Sequence, residues 1–471
     1  MNLSGLLESK LVRHVRFHVE PANKAPSPPT EGPVGHLRRF AADQIGFMTR
    51  AWAECGDVTR LRFVALPAHL LAHPDHVKHI LVDNHRNYDK QTKGFDVLRL
   101  VLGNGLLTSE GEFWRRQRRI AQPAFHKDRI ASFGEGMVRA SLDTARRWDD
   151  VAARGGTLDV AAEMMRLTLR IAGETLLSTD VTREADEVGV SMTTLLEGAN
   201  RRILRPIDFP LSWPIAFNKR MLGAIDTLNT IVYRMIEDRR RMTADRPNDL
   251  LTMLMEARDE ETGEGMTDQQ LRDEVLTIFL AGHETTANAL AWTFYLLSLH
   301  PGVGRRLASE LADVLHGRAP EVADLGKLTY TTAVLKEAMR LYPPAWIVGR
   351  RAIEEDVIGG YAIPRDSFVF VSPWITHRHT AFWSNPEGFD PDRFLPENAA
   401  NMNRYAYVPF GAGPRICIGQ GFAMLEAPLL LATLWQRFRL DLVSSHKVVP
   451  QPSITLRPRY GILARPRAAR A

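Results

Sequence analysis

The sequence predicts a mainly α chain with a small β lobe, and three observations point there. Residues 129–255 place apolar side chains at helical spacing, interrupted by short breaks. Residues 267–299 carry the same spacing, broken only in the middle at 281–286, behind Thr267-x-x-Gln270, a pairing that caps helix starts. Short apolar-containing runs between turn residues occur at 58–63, 69–72, 357–363 and 368–371 and read as strands, three of them with β-branched or aromatic residues.

Composition sets the outer limits. A chain of 471 residues with 45% hydrophobic side chains can bury a large core. Length alone allows one domain or several. Cys55 and Cys417 are the two cysteines and lie far apart, which fits a reducing compartment and no disulfide framework. No stretch approaches the ~18 apolar residues needed to span a bilayer. Residues 1–21 are broken by Glu8, Lys10, Arg13, His14 and Arg16, unlike a signal peptide or anchor, so a cytoplasmic location is expected. The net charge of +5 is spread over the chain and not massed with aromatics, which argues against nucleic acid and leaves room for an acidic protein partner.

The elements then follow in order. Residues 21–40, rich in Pro, Gly and Ala, read as the end of an N-terminal arm over 1–39. Val58–Phe63 and 69–72 read as a strand pair, and Pro74 opens a helix to about Val82. Residues 84–105 are mixed and end at Asn104-Gly105, a partly helical connection. The helix over 111–120 sets Trp114 and Arg118 on one face, with Arg115, Arg116 and Arg119 elsewhere. By themselves these are solvated arginines of a surface helix. Breaks within 129–255 fall near Gly155-Gly156, Thr179-Asp180 and 205–214. An acidic segment, 259–265, leads into the long helix, which at its full length spans ~48 Å.

The middle of that helix is Ala281-Gly-His-Glu-Thr-Thr286. Gly282 costs about 1 kcal/mol relative to alanine, and Thr285 can turn its hydroxyl to the Ala281 carbonyl. A polar face meeting solvent is the plain reading. A zinc-binding His-Glu-x-x-His is excluded, because position 287 is alanine. Thr329–Leu341 reads as a helix stopped by Pro343-Pro344, with Glu337 and Arg340 at i and i+3. The run Ala345-Trp346-Ile347-Val348 is expected to line a pocket. A hairpin over 357–363 and a strand at Phe368–Val371 follow, then a helix over 421–438 with Pro428 inside it, expected to kink. A turn at 453–456 closes the chain's pocket-lining elements.

One stretch concentrates chemistry: Phe410-Gly-Ala-Gly-Pro-Arg-Ile-Cys-Ile-Gly419. A lone cysteine is most often a small buried hydrophobe. Held in a glycine-rich turn beside Arg415, however, its thiolate should be stabilised, and the thiolate is the form that ligates metal. The frame Phe410-x-x-Gly413-x-Arg415-x-Cys417-x-Gly419 resembles the haem-binding loop of the cytochrome P-450 family.

The resemblance covers 40–465 and implies one domain over 40–471 holding one haem b, with Cys417 as axial thiolate and Phe410 and Gly411 beside it. Ala281-Gly282-x-Glu284-Thr285 is similar to the family's distal signature, in which the small pair makes room for dioxygen and the acid and alcohol deliver protons. Trp114, Arg118, Arg415 and Arg351 match positions that hold the propionates. Glu337, Arg340 and Arg393, the last within Pro391-Asp-Arg-Phe394, match a buried structural network. The usual His-Arg-Asp/Asn-Pro reads His377-Arg378-His379-Thr380 here, which puts that turn's geometry in question.

The implied activity is insertion of one oxygen atom from dioxygen into a C–H or C=C bond of a fatty acid, terpenoid or steroid. Phe95, Leu98, Trp346, Ile347, Val348 and Ile454 are the expected substrate walls. The Trp114 helix leans toward the fatty-acid-hydroxylase-like branch. Electrons would come from a separate ferredoxin or flavodoxin with its reductase, an acidic partner docking on Arg115, Arg116 and Arg119 of a monomer. A peroxygenase using hydrogen peroxide, a non-redox haem-thiolate isomerase or dehydratase, and a haem-based ligand-binding sensor are the competing readings. The Glu284–Thr285 pair argues against the first two.

Overall fold

The computed structural model describes residues 23–469 apart from 177, 179–184, 206–207, 243–245, 248 and 260. The expected break at Thr179-Asp180 lies outside the described residues, as does the reading of residues 1–21.

The long helix is Asp268–Leu299, and both halves of its capping box form: Gln270 N–H bonds the Thr267 hydroxyl, and the Gln270 side chain accepts from the Thr267 N–H. It is buried on almost every side, as a helix that crosses a core must be. Helix Val160–Leu176 packs along it most extensively, with Thr329–Leu341, Ala216–Arg241 and Gln420–Arg437 on its other sides. Pro428 stands inside Gln420–Arg437, and the helix continues past it.

The β lobe is a five-stranded sheet ordered Val58–Phe63, Leu66–Leu71, Phe368–Val371, Val348–Ala352, Tyr88–Asp89. The second and third strands are parallel and the other neighbours antiparallel. Val348–Ala352 carries Gly349 and two arginines, so it lacks an apolar strand signature, and its partners lie far away in sequence. Strands Phe438–Leu442, Leu463–Ala468 and Leu158–Asp159 form a second sheet.

The predicted boundary at residues 39 and 40 falls inside helix Leu37–Ala42. The chain before it is already packed: the Arg60 N–H bonds the Pro26 carbonyl, and buried His36 accepts the Arg62 N–H on Nδ1.

The expected ion network is present. Arg340 and Glu337 are both 0% exposed and joined by two bonds of 2.7 Å, while Arg340 also donates to the carbonyls of His377, Pro386 and Gly388. Arg393 Nε lies 3.5 Å from Glu337. The atypical turn holds through its own contacts: Arg378 reaches Glu387 and the Leu341 carbonyl, and His379 Nε2 lies 3.0 Å from Asp57.

Candidate active site

Between the long helix and the cysteine loop lies a cavity of about 850 Å³, lined mostly by apolar side chains. The loop is held by its backbone. The Cys417 N–H bonds the Phe410 carbonyl at 2.9 Å. Gly413 has φ +68°, and a Cβ there would lie 1.8 Å from the Leu81 carbonyl oxygen, so only glycine lets the loop press on the turn His79–Asp83. Arg118, from helix Gly111–Ala121, donates to the Ile416 carbonyl at 2.8 Å.

Cys417 is deep in the protein yet accessible, because its free surface faces the cavity and not the outer solvent. Burial pushes its thiol up; the N–H groups of Gly419 and Gln420 and the Arg118 guanidinium act the other way. The cation near the sulfur is thus Arg118, while Arg415, expected in that role, is engaged by Ser109 and Glu110, and desolvation outweighs the groups that favour the anion. The anion is favoured only when a metal cation faces the sulfur.

The long helix supplies another wall. Ala281 and Thr285 are accessible in the middle of an otherwise buried helix, since they open onto the same cavity. The Thr285 hydroxyl donates to the Ala281 carbonyl at 2.7 Å, as its position suggested. Gly282 and Glu284 also line the cavity. Glu284 is buried and accepts the Thr455 hydroxyl at 2.6 Å. Burial raises its carboxyl, against the Thr455 hydroxyl and the Arg457 charge. His283 turns away into the core, with Nδ1 2.8 Å from the Phe279 carbonyl, and burial holds it down at about 4.

Cations gather at one end. Arg415 donates to the Ser109 carbonyl and to Glu110, and its guanidinium lies 3.7 Å above the Trp114 ring. Lys90 is buried with Nζ 2.7 Å from the Leu107 carbonyl, and burial together with Arg350 and Arg415 lowers it. Arg350 lines the cavity, whereas Arg351 does not. Arg351 is turned outward, paired with Asp89 at 2.6 Å and with Asp366. Arg351, expected beside the cofactor, therefore does not reach the cavity, and its neighbour Arg350 does. Alternation along Val348–Ala352 puts Val348 and Arg350 on one face, and Asp89 stands opposite Arg351 in register. A sequence signal existed: if Val348 faces the pocket, so does Arg350.

Burial lowers Arg350 and Arg415 each to about 10. These two and Arg118 outnumber Glu110, the carboxylate that Arg415 engages, while Asp89, which also acts on Arg350, is paired with Arg351. That surplus of buried positive charge fits a ligand bringing carboxylates. With an apolar cavity and a sulfur opening onto it, the residues fit a haem.

Phe95, Leu98, Trp346, Ile347, Val348 and Ile454 all line the cavity, Phe95 with the Lys90 ammonium 5.1 Å over its ring. Sequence reasoning missed Ile203, Leu204, Phe209 and Leu211, which line it as well. Their segment shows only helical periodicity and a break.

The expected basic face is also corrected. Arg116 and Arg119 turn to the acidic segment, where Asp259 lies 2.6 Å from Arg119 and 3.7 Å from Arg116, and Arg115 pairs with Glu112. A shallow depression on the cysteine side is lined by Arg115, Arg119, His126 and Arg129 without Arg116. Among the described residues, no helix is long and apolar enough to cross a membrane.

A family model for cytochrome P-450 matches residues 26–465. The chain is 40% identical to cyclooctatin synthase of Streptomyces melanosporofaciens over 90% of its length and 91% of that protein. It is 35% identical to pentalenene oxygenase of Streptomyces avermitilis, over 88% of the chain and 91% of the relative. To the human ultra-long-chain fatty acid omega-hydroxylase it is 30% identical, over 84% and 78%. With its cysteine loop, distal helix signature and cation-rimmed cavity, the chain belongs to the cytochrome P-450 family, whose members are haem-dependent oxidoreductases.

Proposed function

We propose that this chain binds haem b and inserts one oxygen atom from dioxygen into a C–H or C=C bond of a terpenoid. The observation that carries the reading is the shared cavity, with Cys417 on one wall and Ala281, Gly282 and Thr285 on another. When bound, the haem supplies dioxygen activation; the protein's part is to hold, orient and protonate. Cys417 Sγ would ligate the iron, and Lys90, Arg118, Arg350 and Arg415 would hold the propionates. Ala281 and Gly282 leave space beside the ring. Glu284 and Thr285 would supply protons in a site whose apolar walls exclude water. The Glu337–Arg340–Arg393 network would anchor the segments leading to the cysteine loop.

The choice of a terpenoid over a fatty acid rests on two points. The more similar of the three relatives are named for cyclooctatin and pentalenene, and the less similar one for a fatty acid. Two of the cations lining the cavity are engaged, Arg202 by Asp208 at 2.9 Å and Lys93 by the Arg205 carbonyl, and the Arg205 guanidinium lies 4.8 Å over the Phe217 ring. Neither of the first two is disposed to hold a carboxylate. Trp114 lies beneath Arg415 at the cation-rimmed end, so its presence does not report on the substrate. Electrons would reach the haem from a separate acidic protein docking at the depression around Arg115, His126 and Arg129.

The test is reconstitution with a ferredoxin and reductase, cyclic terpenes and fatty acids being offered in parallel. Oxygenated terpene is the expected product. A reduced carbon monoxide complex without the absorption of thiolate ligation would overturn the haem assignment, and preferred turnover of fatty acids would overturn the substrate. Thr285→Ala should keep electron consumption while losing product.

A further inference from the structure

The acid and the alcohol of the distal pair are engaged in different places. Thr285 bonds its own helix at the Ala281 carbonyl, whereas Glu284 reaches across to Thr455. Thr455 is itself oriented: its oxygen accepts Asn288 Nδ2 at 3.1 Å while its hydroxyl donates to Glu284 Oε1 at 2.6 Å. Asn288 lies one helical turn beyond Glu284, so a single helix face clasps Thr455 from both sides.

The segment that carries Thr455 is also a wall of the substrate cavity. Ile454, its neighbour, lines the cavity, and the Ser453 carbonyl accepts the indole N–H of Trp346, another wall residue, at 2.8 Å. Further along, the Leu456 N–H bonds the Pro344 carbonyl at 2.9 Å, and the Leu456 carbonyl accepts the Trp292 indole at 3.0 Å. Displacement of Ile454 or Trp346 by a bulky ligand is therefore passed to Thr455 through short, rigid connections.

We propose that Thr455 is a positioning residue that ties the orientation of Glu284 to occupancy of the substrate cavity. With the turn at rest, Thr455 holds the carboxyl on the turn. A ligand pressing on Ile454 and Trp346 shifts the hydroxyl and frees Glu284 to swing toward the Thr285 side of the helix. Proton supply is thereby linked to a filled site, which would limit wasted reduction when no substrate is present. The charged neighbourhood is compatible. Arg457, in the short strand Leu456–Pro458 that follows Thr455, acts on Glu284 and pairs with Glu197 at 3.0 Å, with Glu197 about half exposed. The other groups around the carboxyl, Asn288, Thr285 and Thr455, are uncharged, and His283 faces the opposite side.

The inference rests on the reading of Glu284 as a proton donor, but its test does not depend on turnover. In the holoprotein, the carboxyl stretch of Glu284 is assigned by infrared difference against Glu284→Gln and followed with pH, with and without a saturating cyclic terpene. In the unsubstituted protein, ligand is expected to shift the band and move its titration to higher pH, as loss of a donor to a carboxylate requires. Thr455→Val should titrate at higher pH already without ligand and lose the ligand response, and Thr455→Ser should restore both. If Thr455→Val fails to fold, Asn288→Ala, which frees the Thr455 oxygen, carries the same comparison. A Glu284 band indifferent to ligand, or a Thr455→Val protein titrating like the parent, overturns the proposal. A missing thiolate–carbon monoxide spectrum would overturn the functional reading and leave this infrared result standing by itself.

Discussion

Replacing Arg350 and Arg351 by methionine, one at a time, separates two adjacent guanidiniums that the strand sends to opposite faces. Arg350 is 7% exposed and lines the cavity; Arg351 spends its donors on Asp89 and Asp366. Methionine keeps much of the stem's volume and removes the charge. A buried charge-assisted hydrogen bond contributes about 1.5–3 kcal/mol, so loss of Arg350 is expected to weaken haem binding by about 10- to 150-fold. Loss of Arg351 should leave haem affinity within a factor of a few. It should instead lower stability by about 1–3 kcal/mol, since Asp89 keeps a partly buried carboxylate without its partner. The assay is titration of apoprotein with haem by Soret absorbance, beside a denaturant melt. If Arg351→Met loses haem affinity and Arg350→Met does not, the register that assigns the faces is wrong.

Arg340→Met should cost about 3–5 kcal/mol by stranding Glu337 in the core, and the double variant with Glu337→Gln should recover part of it, as read by denaturant midpoints. Gly413→Ala combines a left-handed backbone, about 1–2 kcal/mol, with displacement of the Leu81 carbonyl, about 1–3 kcal/mol; a lower Tm and poorer haem retention are expected. Glu426 is fully buried, its Oε2 has no hydrogen-bond partner, and burial raises its carboxyl to about 8, with the Thr286 hydroxyl acting against. An acid raised on folding binds more protons in the native state, so its contribution is present in full below the unfolded carboxylate range and declines as pH rises toward about 8. Glu426→Gln should flatten the stability profile over that window; an unchanged slope would remove Glu426 as its source. Arg115→Glu with Arg129→Glu should slow reduction by an acidic ferredoxin and flatten its salt dependence, measured by stopped flow.

Features whose signal is local are legible in the residues alone. The Thr267–Gln270 cap, the weakened turn around Gly282 and Thr285, the Glu337–Arg340 spacing and the glycine-framed Cys417 are each written within a few residues. The cap, the ion pair and the Thr285 hydroxyl bond appear where they were expected, and the helix runs unbroken through Gly282. A capping box or an i,i+3 pair follows from helical period alone, so no distant partner is needed to read it. Even the Thr285 bond to Ala281 is a contact within one turn.

Tertiary structure decided what depends on segments far apart in the chain. Arg350 faces the cavity because Asp89, 262 residues from Arg351, fixes which arginine turns outward. Arg116 and Arg119 face Asp259 because packing brings an acidic loop against their helix. Glu284 meets Thr455 across 171 residues, and Lys90 is buried against the Leu107 carbonyl, 17 residues along the chain. Charge and hydrogen-bond partners across such separations are set by which surfaces come together on folding. Periodicity is silent on that choice, since it records the face a residue occupies and not the neighbour that will meet it.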